Sequence, residues 1–309
     1  MTELDLSRHS PLLDPHLHVW GWEIPVYLFL GGLAAGAMLL LPLLTARAGP
    51  ASRWVRWLGF AAPVLVTVGM AALFLDLEHK LHVYRFYLAF RWSSPMSWGA
   101  WILLLVYPVS LLWAVSALDE AEAAALARRA GPLGRLITAA RGLALAHHAA
   151  LRWASLVIGL GLGVYTGILL SALGARSLWA SPVLGPLFLA SGVSSGAALL
   201  ALFPLEARER RWLHAAHYKA MAAEAVLLLL FALGLATGGA AGRSALSGLV
   251  QGPFAGAFWA LVVGCGLGLP LLVEAAEARV KVRHTALAPA LVLAGGLALR
   301  WVMVAAGQA

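Results

Sequence analysis

The chain has 309 residues and a net charge of +8, with 61% hydrophobic and only 12% charged residues, and its mean hydropathy is +0.84. Soluble domains carry about 25% charged residues, so this composition excludes a soluble enzyme and predicts a protein that lies in a lipid bilayer. The single cysteine, Cys265, excludes an internal disulfide, a Cys-rich iron–sulfur motif and a covalently attached haem.

Eight apolar stretches follow one another along the chain, each close to the length of about 20 residues that a helix needs to cross about 30 Å of hydrocarbon. The run 225–235 does not alternate between polar and apolar residues, as membrane β-strands do. The sequence therefore predicts an all-α membrane protein with about eight transmembrane helices. The predicted spans are 22–44, 54–75, 98–118, 149–170, 184–203, 215–236, 254–273 and 286–304.

Arginine and lysine residues concentrate in the connections that follow spans one, three, five and seven. Because such connections resist translocation, they are predicted to be cytoplasmic, which places both termini outside. The predicted organisation is an outer N-terminal arm (1–21), helices one to three (22–118), a cytoplasmic connection (119–148) and helices four to eight (149–309). The connection 119–148 is expected to hold a short amphipathic helix.

Spans one and five resemble each other. Leu28-Phe29-Leu30 with Gly36 in span one is echoed by Leu187-Phe188-Leu189 with Gly196 in span five. Two spans of this separation run in the same direction, so the echo predicts two four-helix bundles related by a parallel repeat. Chance similarity between helices rich in Ala, Leu and Gly is the alternative. The small residues at every fourth position favour close helix packing.

Ionisable and phenolic groups border the outer ends of several spans. A charged group at a helix centre costs about 2.5–3.5 kcal/mol on insertion scales, so such positions are functional candidates. Glu23 and Tyr27 lie one turn apart on the same face of span one, shortly after His18, and Asp76 directly follows span two. Tyr165 in span four is expected at the depth of Tyr27. An aromatic belt with a snorkelling carboxylate is the alternative interpretation.

A second group of ionisable residues lies deeper or on the inner side. Glu224 is near the middle of span six, His217 is two turns before it on the same face, and Arg152 is in the first turn of span four. The group is either an internal salt bridge or a route for protons. Histidines near the inner boundary leave a haem b site open as a further alternative.

Four segments of the chain resemble the polysulfide-reductase membrane subunit family, also called NrfD-like proteins. They are 22–36, then 84–87 leading to 94–101, then 164–171 with Trp179, and 187–198. Segment 94–101 reads Ser-Pro-Met-Ser-Trp-Gly-Ala-Trp and segment 164–171 reads Val-Tyr-Thr-Gly-Ile-Leu-Leu-Ser. These two strings are the most specific, and their order and spacing fit the family.

The resemblance implies eight helices in two bundles in a bacterial or archaeal cytoplasmic membrane. It implies a quinone-reactive subunit with no haem, iron–sulfur cluster or other metal of its own, which is not active alone. Such a subunit exchanges electrons between menaquinone or ubiquinone and a ferredoxin-like subunit with four [4Fe-4S] clusters. That partner in turn contacts a molybdopterin or multihaem catalytic subunit, and no nucleic acid is involved.

The resemblance also implies where the quinone headgroup binds, which is near the outer surface between the start of span one and a tyrosine of span four. Tyr165 matches that tyrosine by its distance to Trp179. Tyr27 and Ile24 stand where some relatives carry a histidine and an asparagine that contact quinone, so other groups are expected to contribute. The predicted quinone-binding residues are Tyr27, Tyr165, Glu23 and His18.

Proton transfer and partner docking are assigned to further residues. Asp76 and Glu23 are predicted to exchange protons near the headgroup, and Glu224 and His217 deeper in the membrane. The partner is expected to dock on the outer segment after span two, through His79, His82, Tyr84, Arg85 and Arg91. The alternatives from other classes are an eight-helix transporter with Glu224 and Arg152 at its substrate site, and a haem b subunit or structural anchor.

Overall fold

The computed structural model describes residues 20–77, 80–82, 84–88, 90–172, 176–280 and 285–308. All regular elements in these ranges are helices, and eight of them are long and apolar enough to cross a membrane. They are α1 (Glu23–Ala48), α2 (Arg53–Asp76), α3 (Pro95–Ala117), α4 (His148–Ser171), α5 (Leu184–Ala201), α6 (Ala207–Thr237), α7 (Ala255–Glu277) and α8 (Leu287–Gln308). The predicted all-α fold with eight spans is confirmed.

The start of α6 differs most from the predicted spans, because the helix begins about two turns before residue 215. Its charged first turns are stabilised by a capping box, in which the Glu206 and Glu209 side chains bond to each other's backbone N–H groups. Glu209 also accepts a hydrogen bond of 2.7 Å from the backbone N–H of Ser52. A polar segment can therefore continue the helix beyond the apolar run, which hydropathy alone does not reveal.

Helix α1 lies at the centre of the molecule and packs against α2, α4 and α5. It runs parallel to α5, and glycines replace side chains where the two backbones meet. A Cβ at Gly196 would lie 2.9 Å from the Cα of Gly36, and one at Gly192 would lie 3.2 Å from the Cα of Gly32. The small residues thus allow the close approach expected from their spacing, whereas the internal repeat itself stays a prediction.

Helix α4 crosses α1 in the antiparallel direction. The Ser155 hydroxyl donates a hydrogen bond of 2.9 Å to the carbonyl of Met38, and Gly159 packs on the same methionine. One turn or two further along α4, Gly163 and Thr166 face Ala35 and Gly31 of α1. This register brings the second half of α4 beside the first turns of α1.

The connection 119–148 forms two helices, Glu120–Arg129 and Gly134–Ala146, rather than the single one expected. They are separated by Gly131, whose φ of 57° favours glycine, and by a proline that cannot continue a helix. Arg56 of α2 fixes the first of them, since its Nε donates to Glu122 at 2.7 Å and its Nη2 donates to Asp119 at 3.0 Å.

Replacing Glu122 with glutamine is expected to destabilise the protein by about 1 kcal/mol, or a few degrees in Tm. The hydrogen bond from Arg56 lowers the pKa of Glu122 below its ordinary value. A carboxylate with a lowered pKa stabilises the fold above the ordinary carboxyl pKa, and the contribution is lost as the pH falls through the lowered value. Thermal unfolding in detergent between pH 7 and pH 3 measures it.

Glu120→Gln is the matched control, because Glu120 lies on the same helix and is exposed. The Tm of Glu122→Gln should lie below that of wild type at pH 7, and the two values should become equal at acid pH. The Tm of the control should equal that of wild type at every pH. A difference that is equal at both ends of the pH range would contradict the role of the carboxylate.

Candidate functional site

Two phenol side chains meet at one end of the helix bundle. Tyr27 comes from the first turns of α1 and Tyr165 from the second half of α4, which the antiparallel register of these helices brings together. Their side chains hydrogen-bond to each other. Both residues are buried, with exposed fractions of 3% and 5%. Two residues 138 positions apart in the sequence numbering thus form one polar unit inside an apolar bundle.

Glycines of α2 and α3 make room for this phenol pair. The Tyr27 ring lies against Gly69 of α2, where a Cβ would be 3.6 Å from its Cδ2. The Tyr165 ring lies directly on Gly99 of α3, and a methyl group at that position would overlap the ring and its hydroxyl. Four helices therefore build the site, two with tyrosines and two with flat glycine surfaces.

Tryptophans hold the start of α1 beside the end of α8, at the same end of the bundle. The Trp20 and Trp179 rings pack with their centroids 5.3 Å apart. The backbone N–H of Trp20 donates to Gln308 Oε1 at 2.8 Å, and Gln308 Nε2 donates back to the Trp20 carbonyl at 3.1 Å. The indole of Trp179 donates to the Met303 carbonyl at 2.8 Å. These contacts fix the entry of the polypeptide into α1, shortly before Tyr27.

Glu23 and Asp76 lie beyond the phenol pair towards the same end of the bundle, at the start of α1 and the end of α2. Both are partly buried, and their carboxyl groups are close enough to interact electrostatically. Their position beside the phenol pair is the one expected of proton-transfer groups, and that role stays a prediction. His18, which was predicted to bind quinone, and His79, which was predicted to dock the partner, lie outside the described residues.

Tyr87, on the short helix Arg85–Leu88 between α2 and α3, is a member of this region that the sequence analysis did not select. It is partly buried and interacts electrostatically with Tyr27 and with Tyr107 of α3. Burial raises the pKa of the Tyr87 phenol above its ordinary value, so it is protonated at neutral pH as an ordinary phenol is. A signal was available, because segment 84–87 already carried the family resemblance.

The predicted docking segment lies on the surface near the phenol pair. His82, Tyr84 and Arg91 are exposed, and the side chain of Arg85 lies outside the described part. Trp92 is 80% exposed and packs edge-on against Phe90. An exposed group of aromatic and basic side chains is common at protein interfaces, and the docking role stays a prediction.

A second polar group lies between α5, α6 and α8, and its centre is Arg300. This side chain is fully buried, donates to the carbonyls of Phe188 at 2.9 Å and Gly296 at 3.0 Å, and donates to the Ser191 hydroxyl. Its guanidinium also lies 5.0 Å from the centre of the Phe188 ring. Arg300 was not singled out from the sequence, although its position inside the apolar run 286–304 was a signal of burial.

Glu224 of α6 belongs to this group. It is 8% exposed, hydrogen-bonds to the Ser191 side chain and interacts electrostatically with Arg300. The expected neighbour Arg152 instead lines a separate cavity of about 290 Å³ beside Trp113 and His148. The pairing of Glu224 with Arg152 is therefore wrong, because Ser191 of α5 and Arg300 of α8 are the groups that interact with Glu224.

His217 lies two turns before Glu224 on α6 and is 5% exposed. Its Nδ1 is 3.2 Å from the Ser194 carbonyl of α5, and since a carbonyl can only accept, this contact places a proton on Nδ1. His217 and Glu224 thus face the same helix, at different depths. Among the described residues, no three His, Cys, Asp or Glu side chains are close enough to hold a metal ion.

Eight long apolar helices with phenol, carboxyl and guanidinium groups buried between them define a multi-pass membrane protein. The protein matches the family described as polysulphide reductase, NrfD, over residues 11–309, and it belongs to that family. It is 32% identical over 306 residues to the C subunit of polysulfide reductase from Wolinella succinogenes, and the match covers 94% of both proteins. It is 33% identical over 269 residues to protein NrfD of Escherichia coli, and that match covers 83% of this protein and 84% of the relative. The predicted family is confirmed.

Proposed function

We propose that the protein is the quinone-reactive membrane subunit of a respiratory oxidoreductase, with the quinone headgroup bound at Tyr27 and Tyr165. The observation that carries this proposal is the buried phenol pair, formed by two residues that the sequence had singled out separately. Membership of a family whose relatives include a subunit of polysulfide reductase supports the oxidoreductase class.

The chemistry of the phenol pair fits a quinone. A quinone needs hydrogen-bond donors for its carbonyl oxygens, and the reduced form needs acceptors for its hydroxyls; a phenol group offers both. A bound headgroup would exchange the bond between Tyr27 and Tyr165 for bonds to its own oxygens. The glycine surfaces at Gly69 and Gly99 receive the Tyr27 and Tyr165 rings and so fix where the two hydroxyls meet a headgroup.

The protons of the reaction need carboxyl groups that can hold and release them. A bound quinone supplies reversible redox chemistry with two electrons and two protons. Glu23 and Asp76, partly buried at the outward end of α1 and α2, exchange protons between the phenol pair and the membrane surface. The Tyr165 hydroxyl orients the headgroup and passes a proton to or from it.

The electrons pass to or from a partner at the same end of the bundle. The exposed segment with His82, Tyr84 and Arg91 is the docking surface for a ferredoxin-like [4Fe-4S] subunit, which leads to a molybdopterin or multihaem subunit. The arginine-rich connections lie at the other end and are cytoplasmic by the positive-inside rule. The phenol pair and both termini are then on the outer side of a bacterial or archaeal cytoplasmic membrane.

The native complex tests this function directly. Extraction of the detergent-solubilised complex should release menaquinone or ubiquinone, and mass spectrometry should identify an iron–sulfur subunit that co-purifies. A lone, quinone-free protein that takes up solute in liposomes would support the transporter instead. A Soret band that belongs to this subunit would support a haem b protein.

Replacing Gly99 with alanine is expected to raise KM for quinol about tenfold. The added methyl group overlaps the Tyr165 ring and must displace it, so the headgroup loses one hydrogen bond. Losing a hydrogen bond worth about 1.4 kcal/mol lowers the affinity tenfold. Steady-state quinol oxidation by the assembled complex measures the effect.

Gly234→Ala is the matched control, because a Cβ at Gly234 of α6 meets no atom within 4 Å. Alanine favours a helix over glycine at both positions, but only the methyl group at Gly99 also crowds a buried ring, so thermal unfolding of Gly99→Ala is compared with that of Gly234→Ala. If Gly99→Ala and Gly234→Ala both keep the wild-type KM, Tyr165 does not contact the headgroup.

A further inference from the structure

A cavity of about 580 Å³ opens between α5, α6, α7 and α8 at the end of the bundle opposite to Tyr27 and Tyr165. Its walls are the last turns of α5, the first turns of α6, the end of α7 and the start of α8. Most of the residues that line it are apolar. The polar side chains that line it are Arg210, His214, His217, Glu274, Glu277 and Thr285. The arginine-rich connections lie at this same end.

Glu274 of α7 is the most deeply placed acid in this cavity. It is only 7% exposed, and its Oε2 is buried without a hydrogen-bond partner among the described residues. Its Oε1 lies 3.9 Å from the Nε2 of His217, and Tyr218 hydrogen-bonds to the same carboxyl group. A buried carboxylate oxygen without a partner is costly unless the group takes up a proton or binds water from the cavity.

His217 connects this acid to the interior of the bundle. One ring nitrogen faces Glu274, and the other contacts the Ser194 carbonyl at 3.2 Å and the Ser194 hydroxyl at 3.5 Å. The next residue of α5, Ser195, has a buried hydroxyl without a partner in the described part. Ser195 also packs against Gly296, whose carbonyl accepts a hydrogen bond from Arg300. Polar groups therefore follow α5 from the cavity to Arg300.

The charged or titratable neighbours of Glu274 and His217 come from two helices. Helix α6 presents Arg210, His214 and Tyr218, and α7 presents Glu277, which bonds to Thr285 at the start of α8. Helix α5 contributes the hydroxyl of Ser194. The described surroundings thus contain both signs of charge. A proton that moves between Glu274 and His217 leaves the total charge of these two residues unchanged.

We propose that Glu274 and His217 form a proton-exchange site, through which protons pass between this cavity and the buried group of Glu224, Ser191 and Arg300. A carboxyl oxygen and an imidazole nitrogen 3.9 Å apart, with an open cavity on one side and polar groups of α5 on the other, are suited to that transfer. The use of these protons in quinone chemistry rests on the proposed function. The place where they are exchanged rests only on the cavity and its contacts.

Infrared spectroscopy of the purified complex during a pH titration tests the site without use of quinone. Wild type and Glu277→Gln should both show a protonated-carboxyl band that is absent from Glu274→Gln and shifted in His217→Asn. Glu277 is the matched control, because it lines the same cavity but bonds to Thr285. Spectra of Glu274→Gln and wild type that superimpose would overturn the proposal.

Turnover provides the second measurement. Glu274→Gln should slow quinol-dependent turnover of the assembled complex about tenfold or more, and Glu274→Asp should recover part of it. If Glu274→Gln fails to assemble, the infrared spectrum of His217→Asn tests the proposal instead. A shifted carboxyl band supports it, and a band at the wild-type position contradicts it. If Glu274→Gln turns over quinol as fast as the wild-type protein, the proposal is contradicted. If the wild-type complex itself shows no quinol turnover, the quinone function is refuted, and the infrared comparison alone decides the proton site.

Discussion

Tyr165→Phe is expected to reduce quinol-dependent turnover by about 100-fold or more while the complex still assembles. The change removes one hydroxyl from the phenol pair, and a positioned donor or proton-transfer group typically contributes a factor of about 100 to 10,000. The ring of phenylalanine fills the same space against Gly99, so packing between α3 and α4 is retained. Turnover with a soluble quinol analogue measures the loss, and thermal unfolding reports the fold.

Tyr107→Phe is the matched control for this change. Tyr107 lies on α3, and its hydroxyl bonds to Thr67 of α2 at 3.1 Å rather than to Tyr27 or Tyr165. It should keep most of the wild-type turnover. Equal turnover in Tyr165→Phe and wild type would remove the phenol pair from the reaction.

Arg300→Met is expected to have the largest effect on stability, with a loss of about 3–5 kcal/mol. The guanidinium is fully buried, and its removal leaves the carboxyl group of Glu224 without the nearby positive charge. The carbonyls of Phe188 and Gly296 also lose their donor. Thermal unfolding in detergent and the yield of assembled complex measure the effect, with Arg243→Met as an exposed control.

The double variant Arg300→Met with Glu224→Gln separates charge from packing. If most of the loss comes from the uncompensated carboxyl group, the double variant should be more stable than Arg300→Met alone, and the two changes should not add. A double variant that is no more stable than Arg300→Met would mean that Glu224 and Arg300 are not energetically coupled.

The number and approximate position of the helices were predictable because the thickness of the bilayer sets the length of each apolar run. The ends of the helices were less predictable where polar residues continue a helix beyond its apolar run. The first turns of α6 depend on the Glu206 and Glu209 capping box and on the contact of Glu209 with Ser52, which is far away in the sequence. The break in connection 119–148 was readable in principle from Gly131 and the proline after it.

The candidate site was predictable in part, for a physical reason. Tyr27 and Tyr165 stand out because a phenol inside an apolar span needs a hydrogen-bond partner. Gly69 and Gly99 did not stand out, because a glycine that receives an aromatic ring looks like any glycine of a membrane helix. Arg300 was not singled out because hydropathy and charge counting do not reveal the hydroxyl and carbonyl of α5 and the carbonyl of α8 that accept its hydrogen bonds.

Photolabelling of the native complex with an azido-quinone analogue tests most directly whether the headgroup binds at the phenol pair. Peptide mapping should place the label on the first turns of α1 or the second half of α4, near Tyr27 and Tyr165, and excess menaquinone should suppress it. Specific labelling confined to α6 and α7, beside Glu224 or Glu274, would contradict the proposed site.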